Sequence, residues 1–273
     1  SQTVTMGLGN ATLTAQATIR TFTLTIDPAD GLYNGSADLF EVTQNYGSTY
    51  AVLTPTREGY TFTGWSKSAD FHGNLVETDT GYTYTYGVGD DTLTAQWQAR
   101  RYAVNFNLND VNFNNGSTAA TFDVTTNEDV ALKDLINKGV LTLYATYDSD
   151  YSILYTSQTG TDYVEFANLL SVIRDGYDFV KFSSNLDGTD EILSSEMCDT
   201  TTATTVYAIW NAKTYTLTVD KNLEQLDITV LGATPVEETA NQYTVVFDSA
   251  VRLTASVYAG YHFSNWTVED EVK

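Results

Sequence analysis

One phrase, written three times, constrains this chain more than any other feature. Gly59-Tyr60-Thr61-Phe62-Thr63-Gly64-Trp65 returns as Gly176-Tyr177-Asp178-Phe179-Val180-Lys181-Phe182 and again as Gly260-Tyr261-His262-Phe263-Ser264-Asn265-Trp266. Self-similarity on this scale points to small repeated units rather than one large core. Two further phrases travel with it. An opening strand reads TFTLTID at 21–27, YAVNFNL at 102–108 and YTLTVDK at 215–221. A closing strand reads TLTAQA at 12–17, TLTAQW at 92–97 and TVYAIW at 205–210. The opening strands alternate between two faces, as half-buried strands do.

The order of the phrases divides the chain. Residues 1–20 hold only a closing phrase and are expected to be the closing hairpin of a preceding divergent repeat. Residues 21–100 hold all three phrases once. Residues 101–213 hold them again, with extra chain mostly within 125–165. Residues 214–273 hold only the opening and middle phrases and form an incomplete unit. Arg100-Arg101 and Ala212-Lys213 are short junctions, which predict a stiff, elongated array of tandem units. The chain reads as an excised piece, with signal peptide and anchor expected outside it.

Thr, Tyr and Phe are abundant, and these are strand formers, so the fold class is mainly β with a minor α contribution. Asn34-Gly35, Asn115-Gly116 and Asp187-Gly188 are tight-turn pairs. Two helices are expected. Val130, Leu132, Leu135 and Ile136 give 128–138 a helical spacing, with Asn127 as N-cap, Glu128 and Asp129 in the first turn and Gly139 as the stop. Val164, Phe166, Leu169, Leu170 and Ile173 do the same for 162–173. Residues 46–54 would be its weaker counterpart in the first unit.

Charge excludes several partners. Lys and Arg total 13 against 35 Asp and Glu, a formal net charge of −22. Such a surface repels phosphate backbones and anionic lipid, so no nucleic acid is expected. No apolar run approaches the ~20 residues of a membrane span, so no membrane insertion is expected within this fragment. An acidic surface suits an exported protein.

The recurring aromatics are Tyr60, Phe62, Trp65 and Trp97 in the first unit, Tyr177, Phe179 and Trp210 in the second, and Tyr261, Phe263 and Trp266 in the last. They could stack on sugars. Recurrence favours a repeated core instead, because each small unit without disulfides must solve the same packing problem. Tyr82, Tyr84 and Tyr86 occur once, on one face of a strand, and are the candidate ligand contact; a cross-strand ladder is the competing structural use. His72 and His262 fall at non-equivalent places, and the single Cys198 has no nearby His. The acidic stretches 147–152 and 185–191 lack calcium-loop spacing. No catalytic, metal or cofactor site is therefore expected, and the chain is read as non-enzymatic. Lys133, Lys181 and Lys213 are scarce enough to consider for a buried side-chain crosslink.

Pro55-Thr56-Arg57-Glu58-Gly59-Tyr60-Thr61-Phe62-Thr63-Gly64-Trp65, followed by Leu93-Thr94-Ala95-Gln96-Trp97, resembles the Listeria–Bacteroides repeat family. These are the B-repeats of internalin B and of many large Gram-positive surface proteins. Over 101–213 the resemblance rests on Gly176, Tyr177, Phe179, Tyr207, Ala208 and Trp210, with Phe182 in place of the tryptophan. Residues 214–273 resemble the divergent form of the repeat. The resemblance implies β-grasp-like units, an extracellular location on a bacterial cell surface and a stalk or spacer role. The polyanion binding of basic members does not carry over to so acidic a chain. Two alternatives remain. One is an adhesin that contacts a protein or glycan on a host or neighbouring cell through 125–165 or the Tyr82/Tyr84/Tyr86 face. The other is head-to-tail self-association into a surface filament.

Overall fold

The structure is a computed structural model and describes residues 3–7, 9–10, 12–109 and 120–268. Asn115-Gly116 lies outside them. The chain is mainly β and divides into two compact units, Ser1–Arg100 and Arg101–Lys273.

The first unit has seven strands: β1 (Thr21–Asp27), β2 (Phe40–Asn45), β3 (Thr49–Val52), β4 (Tyr60–Lys67), β5 (Asn74–Thr78), β6 (Gly81–Thr85) and β7 (Asp91–Ala99). One sheet runs β2-β1-β7-β4 and a second runs β3-β6-β5. The opening strand β1 and the closing strand β7 lie side by side and parallel, with Leu24 opposite Asp91 and Asp27 opposite Thr94. Their alternate residues Leu24, Ile26 and Leu93 point inward and are fully buried with Tyr33, Val52, Tyr84 and Tyr86. Residues 46–54, weighed as a weak helix, hold the strand β3 instead.

The second unit has β8 (Arg101–Asn107), a 3-10 turn at Leu132–Leu135, β9 (Ile136–Asn137), β10 (Val140–Thr146), β11 (Ile153–Tyr155), β12 (Tyr163–Glu165), the single-turn helix α1 (Phe166–Leu169), β13 (Tyr177–Ser183) and β14 (Thr204–Ala212). Its sheet runs β12-β11-β10-β8-β14-β13. The opening strand β8 is again parallel to the closing strand β14, with Val104 opposite Thr204. The middle strand β13 is again antiparallel to the closing strand. The arrangement of β1, β2, β4 and β7 thus recurs in β8, β10, β13 and β14. Val104, Phe106, Leu141, Leu143, Phe166, Phe182 and Val206 are among its core residues.

The helix expected over 128–138 is not formed. Asp129 has φ +62°, in the left-handed region, and the Thr126 hydroxyl accepts the Val130 N–H at 3.1 Å, so this backbone turns locally before a helix can start. Asn127 is no N-cap, since its carboxamide accepts the Tyr163 N–H. Gly139 stops no helix either. Lys138 and Gly139, at φ +50° and +76°, form the two-residue turn of the β9–β10 hairpin. Of 162–173, only Phe166–Leu169 is helical, and Tyr163–Glu165 joins the sheet edge beside β11. The region 125–165 therefore contributes β9, β10, β11 and β12 to the sheet, joined by turns, rather than a helical insertion.

Within the same unit, residues 214–268 add β15 (Thr214–Thr218), β16 (Leu226–Leu231), β17 (Thr234–Pro235), β18 (Gln242–Val246) and β19 (Arg252–Val257). β15 pairs antiparallel with β18, and β16 with β19. Two sequence-based strands are absent. Residues 12–17 and 260–266 carry strand patterns but take no regular structure, and both stretches are exposed. A strand needs a neighbour for its N–H and C=O groups, and neither stretch has one among the described residues.

Candidate functional site

The recurring phrase is an edge structure, and its spacing has a geometric cause. In β4 the register against β7 shifts between Phe62 and Gly64, so Thr63 bulges out. In β13 the shift falls between Phe179 and Lys181, so Val180 bulges. A bulge turns a three-residue spacing into a same-face spacing. Phe62 and Trp65 consequently meet at 5.2 Å between ring centroids, and Phe179 and Phe182 at 5.0 Å. The preceding glycine is required at every copy. Gly59, Gly176 and Gly260 have φ +75°, +77° and +93° at the third position of a turn closed by the following tyrosine N–H.

The closing tryptophan locks the closing strand to the opening strand's exit. Trp97 Nε1–H donates to the Pro28 carbonyl at 3.0 Å, and Trp210 Nε1–H to the Leu108 carbonyl at 2.8 Å. Pro28 and Leu108 each follow directly on an opening strand. Each indole also packs edge-on to the middle phrase, Trp97 on Phe62 at 5.6 Å and Trp210 on Phe179 at 5.5 Å. Tyr60 and Tyr177 carry guanidinium groups on their rings, from Arg57 at 4.0 Å and Arg174 at 3.9 Å.

Apart from Phe182, which is buried in the core of the second unit, these aromatics are half-buried in the first two copies and flank the deep core. In the third copy Tyr261, Phe263 and Trp266 are 48%, 39% and 38% exposed. They are not core residues, because no closing strand lies over them among the described residues.

The tyrosine face needs a larger correction. Tyr84 and Tyr86 are buried at 0% and 2% exposure, so they line the core of the first unit and cannot meet a ligand. Alternation along β6 showed that these rings share a side, but not that the side faces inward. Burial raises the Tyr84 phenol, with the Asp91 carboxylate adding to the shift, and burial with nearby Tyr50 pushes Tyr86 up to about 12. Tyr82 alone is partly open. It borders a depression of about 420 Å³ with Thr54, Phe62, Thr63, Glu77 and Thr78.

Sequence reasoning missed Asp91. Its side chain is completely buried at the start of β7. Oδ2 accepts the Tyr84 hydroxyl at 2.5 Å and the Gly73 N–H at 2.7 Å, while Oδ1 accepts the His72 N–H at 2.7 Å and faces His72 Nδ1 at 3.3 Å. The carboxylate pins the 71–73 loop to the sheet. His72 is thus held by a buried acid. His262 lies in the exposed 260–266 stretch. Cys198 is buried, and burial raises its thiol, which disfavours the reactive thiolate. Of the crosslink candidates, Lys133 is exposed, Lys181 is half-buried and Lys213 makes a solvent-exposed ion pair with Asp178 at 3.6 Å; none has the burial such a bond needs. Among the described residues no cluster of His, Cys, Asp or Glu is placed to hold a metal.

One contrast between the copies is testable. Trp65 Nε1 is buried with no hydrogen-bond partner, and the second unit has Phe182 at that position, with no donor to satisfy. Leaving a buried donor unpaired costs about 1–3 kcal/mol. Trp65→Phe removes that cost along with some packing, and is expected to change stability by less than about 1 kcal/mol. Trp97→Phe loses a made hydrogen bond and is expected to cost about 1–2 kcal/mol. Urea unfolding of the two variants measures the difference.

Comparison with known proteins agrees with this geometry. Residues 22–96 match the Listeria–Bacteroides repeat domain, and residues 226–273 match the divergent InlB B-repeat domain. A protein of Evansella cellulosilytica described as a Gly-rich membrane protein is 26% identical over 210 residues, covering 74% of this chain and 20% of that protein. The chain thus spans about a fifth of that relative's length. No helix among the described residues is long and apolar enough to cross a membrane. The chain therefore carries a Listeria–Bacteroides repeat domain at residues 22–96 and a divergent InlB B-repeat domain at residues 226–273, repeats of bacterial surface-type proteins.

Proposed function

We propose that this chain is a non-enzymatic, load-bearing spacer within an extracellular bacterial surface protein, built from tandem β-grasp-like units. One observation supports this reading above others: each unit's opening and closing strands are adjacent and parallel, β1 with β7 and β8 with β14. Tension enters a unit at the start of its opening strand and leaves at the end of its closing strand. Side-by-side parallel strands then slide past one another, and all their backbone hydrogen bonds carry the load at once. Trp97 and Trp210 add a side-chain lock at the same seam. A net charge of −22 keeps neighbouring chains apart and soluble.

Single-molecule extension from the two ends of the chain tests the reading. Forced unfolding reports the unfolding barrier. The expected record shows discrete high-force steps, each lengthening the chain by roughly 3.3–3.6 Å per released residue. Gradual yielding at low force, without steps, overturns it.

A further inference from the structure

β14 ends at Ala212 and β15 begins at Thr214, so Lys213 is the single residue between two sheets. A hinge would sit here, since hinges are a few element-terminal residues that absorb a backbone rotation. The hydrogen bonds leave Lys213 no such freedom. Its N–H donates to the Gly176 carbonyl at 2.9 Å, and its own carbonyl accepts the Phe247 N–H at 2.8 Å. The first bond continues the β13–β14 pairing, in which Tyr177 faces Ala212. The second continues the β15–β18 pairing, in which Thr214 faces Val246. One residue thus closes both ladders, and turning it breaks one of them.

Side chains converge on the same point. The Phe247 ring lies on Gly176, where a Cβ would overlap it. Gly176 therefore meets a second requirement beside its positive φ, the close approach of a neighbour. Tyr177 meets Phe247 edge-on at 5.4 Å between ring centroids, and Tyr215 meets it at 6.3 Å. Tyr215 and Phe247 have counterparts in Tyr102 and Tyr147, which pair at 6.1 Å at the same place on β8 and β10. An aromatic pair at the start of the opening strand is thus a built feature of the repeat. Lys213 Nζ reaches Asp178 Oδ1 at 3.6 Å across the same joint.

We propose that Gly176 and Tyr177 form a docking seat for the aromatic end of the repeat that follows, and that this seat makes one rigid body of the β13–β14 and β15–β18 sheets. The partner is defined by its chemistry: an aromatic residue placed directly after the strand that pairs with the next opening strand. An aliphatic or polar residue at 247 offers no ring to the edge of Tyr177 and leaves the glycine uncovered. The middle phrase then acts at two ends. Phe179 and Phe182 pack inside their own repeat, whereas Tyr177 holds its neighbour. The proposal deepens the spacer reading and rests on it for its use, because a spacer that bends at its junctions has no fixed reach.

Double electron–electron resonance between spin labels placed through Leu186→Cys and Glu237→Cys tests it in the 273-residue chain. Both positions are exposed, one on each side of the joint, and Cys198 is buried and stays unlabelled. A single narrow distance distribution is expected. Phe247→Ala is expected to lose the narrow peak and leave a broad distribution. Tyr177→Ala, which alters no residue of 214–268, is expected to do the same, so the result does not hang on how one variant folds. Phe247→Tyr, the residue type at the counterpart position 147, is expected to keep the narrow peak. A broad distribution in the labelled chain without further change, a narrow one in either alanine variant, or a broad one with Phe247→Tyr overturns the proposal. A narrow distribution alongside gradual yielding under force keeps the joint and removes only the spacer reading.

Discussion

Asp91→Ala is expected to destabilise the first unit by about 3–5 kcal/mol, the cost of removing one partner from a buried, charge-assisted network. The reason is local. The Tyr84 hydroxyl and the Gly73 and His72 N–H groups all donate to this carboxylate. Alanine leaves these donors in the interior without an acceptor. Tyr84 itself is fully buried, so no water replaces the carboxylate without opening the core. The loss is expected to be confined to residues 21–100, with the second unit unchanged, because the network lies wholly within the first. Hydrogen exchange read by mass spectrometry separates the two. Asp91→Asn keeps one acceptor oxygen and is expected to cost less. Equal protection in wild type and Asp91→Ala would show that the network contributes nothing.

Phe182→Ala is expected to cost the second unit about 3–5 kcal/mol. Phe182 is 1% exposed and sits among Phe106 at 5.0 Å, Phe179 at 5.0 Å and Phe166 at 6.3 Å. These rings come from the opening strand, the middle strand and the helical turn. Removing the central ring leaves a cavity that rigid strands cannot collapse around. The expected signature is a lower unfolding temperature together with faster exchange in β13 and β14. Phe182→Trp, the residue its counterpart uses, tests shape instead. It adds volume and an N–H to a packed site and is expected to destabilise, by roughly 1–3 kcal/mol.

The sequence made the opening, middle and closing strands legible wherever they have partners. Period-two alternation and recurrence identify β1, β4, β7, β8, β13 and β14 without a structure. Recurrence did less for residues 12–17 and 260–266. Pattern declares a residue's preference for a strand, but pairing decides whether one forms. The tyrosines failed for a different reason. Alternation sorts Tyr82 and Tyr84 onto one side of β6 and leaves open whether that side is solvent or core. At 128–138, apolar spacing suited a helix equally well, but a left-handed Asp129 and the Lys138-Gly139 turn imposed a 3-10 turn and a short hairpin. Asp91 was invisible because a carboxylate at a strand start reads as a solvent-facing residue. Only three-dimensional proximity shows the loop that folds over it.

The bulges carry a similar lesson. The spacing from Phe62 to Trp65 does not suit a regular strand face, and the register shift at Thr63 is what brings the rings together. The motif therefore encodes an irregularity, repeated at Val180.

The central claim is that the parallel seam of opening and closing strands is the mechanical clamp of each unit. Comparing two pulling directions on the first unit, within the whole chain, tests it most directly. Handles at Arg20 and Arg100 load β1 against β7 in shear. Handles at Thr21 and Asn45, which face each other across the β1–β2 pair, peel the edge strand β2 away one hydrogen bond at a time. The shear geometry is expected to need several-fold more force than the peeling geometry at the same pulling speed. Equal forces in the two directions would contradict the clamp.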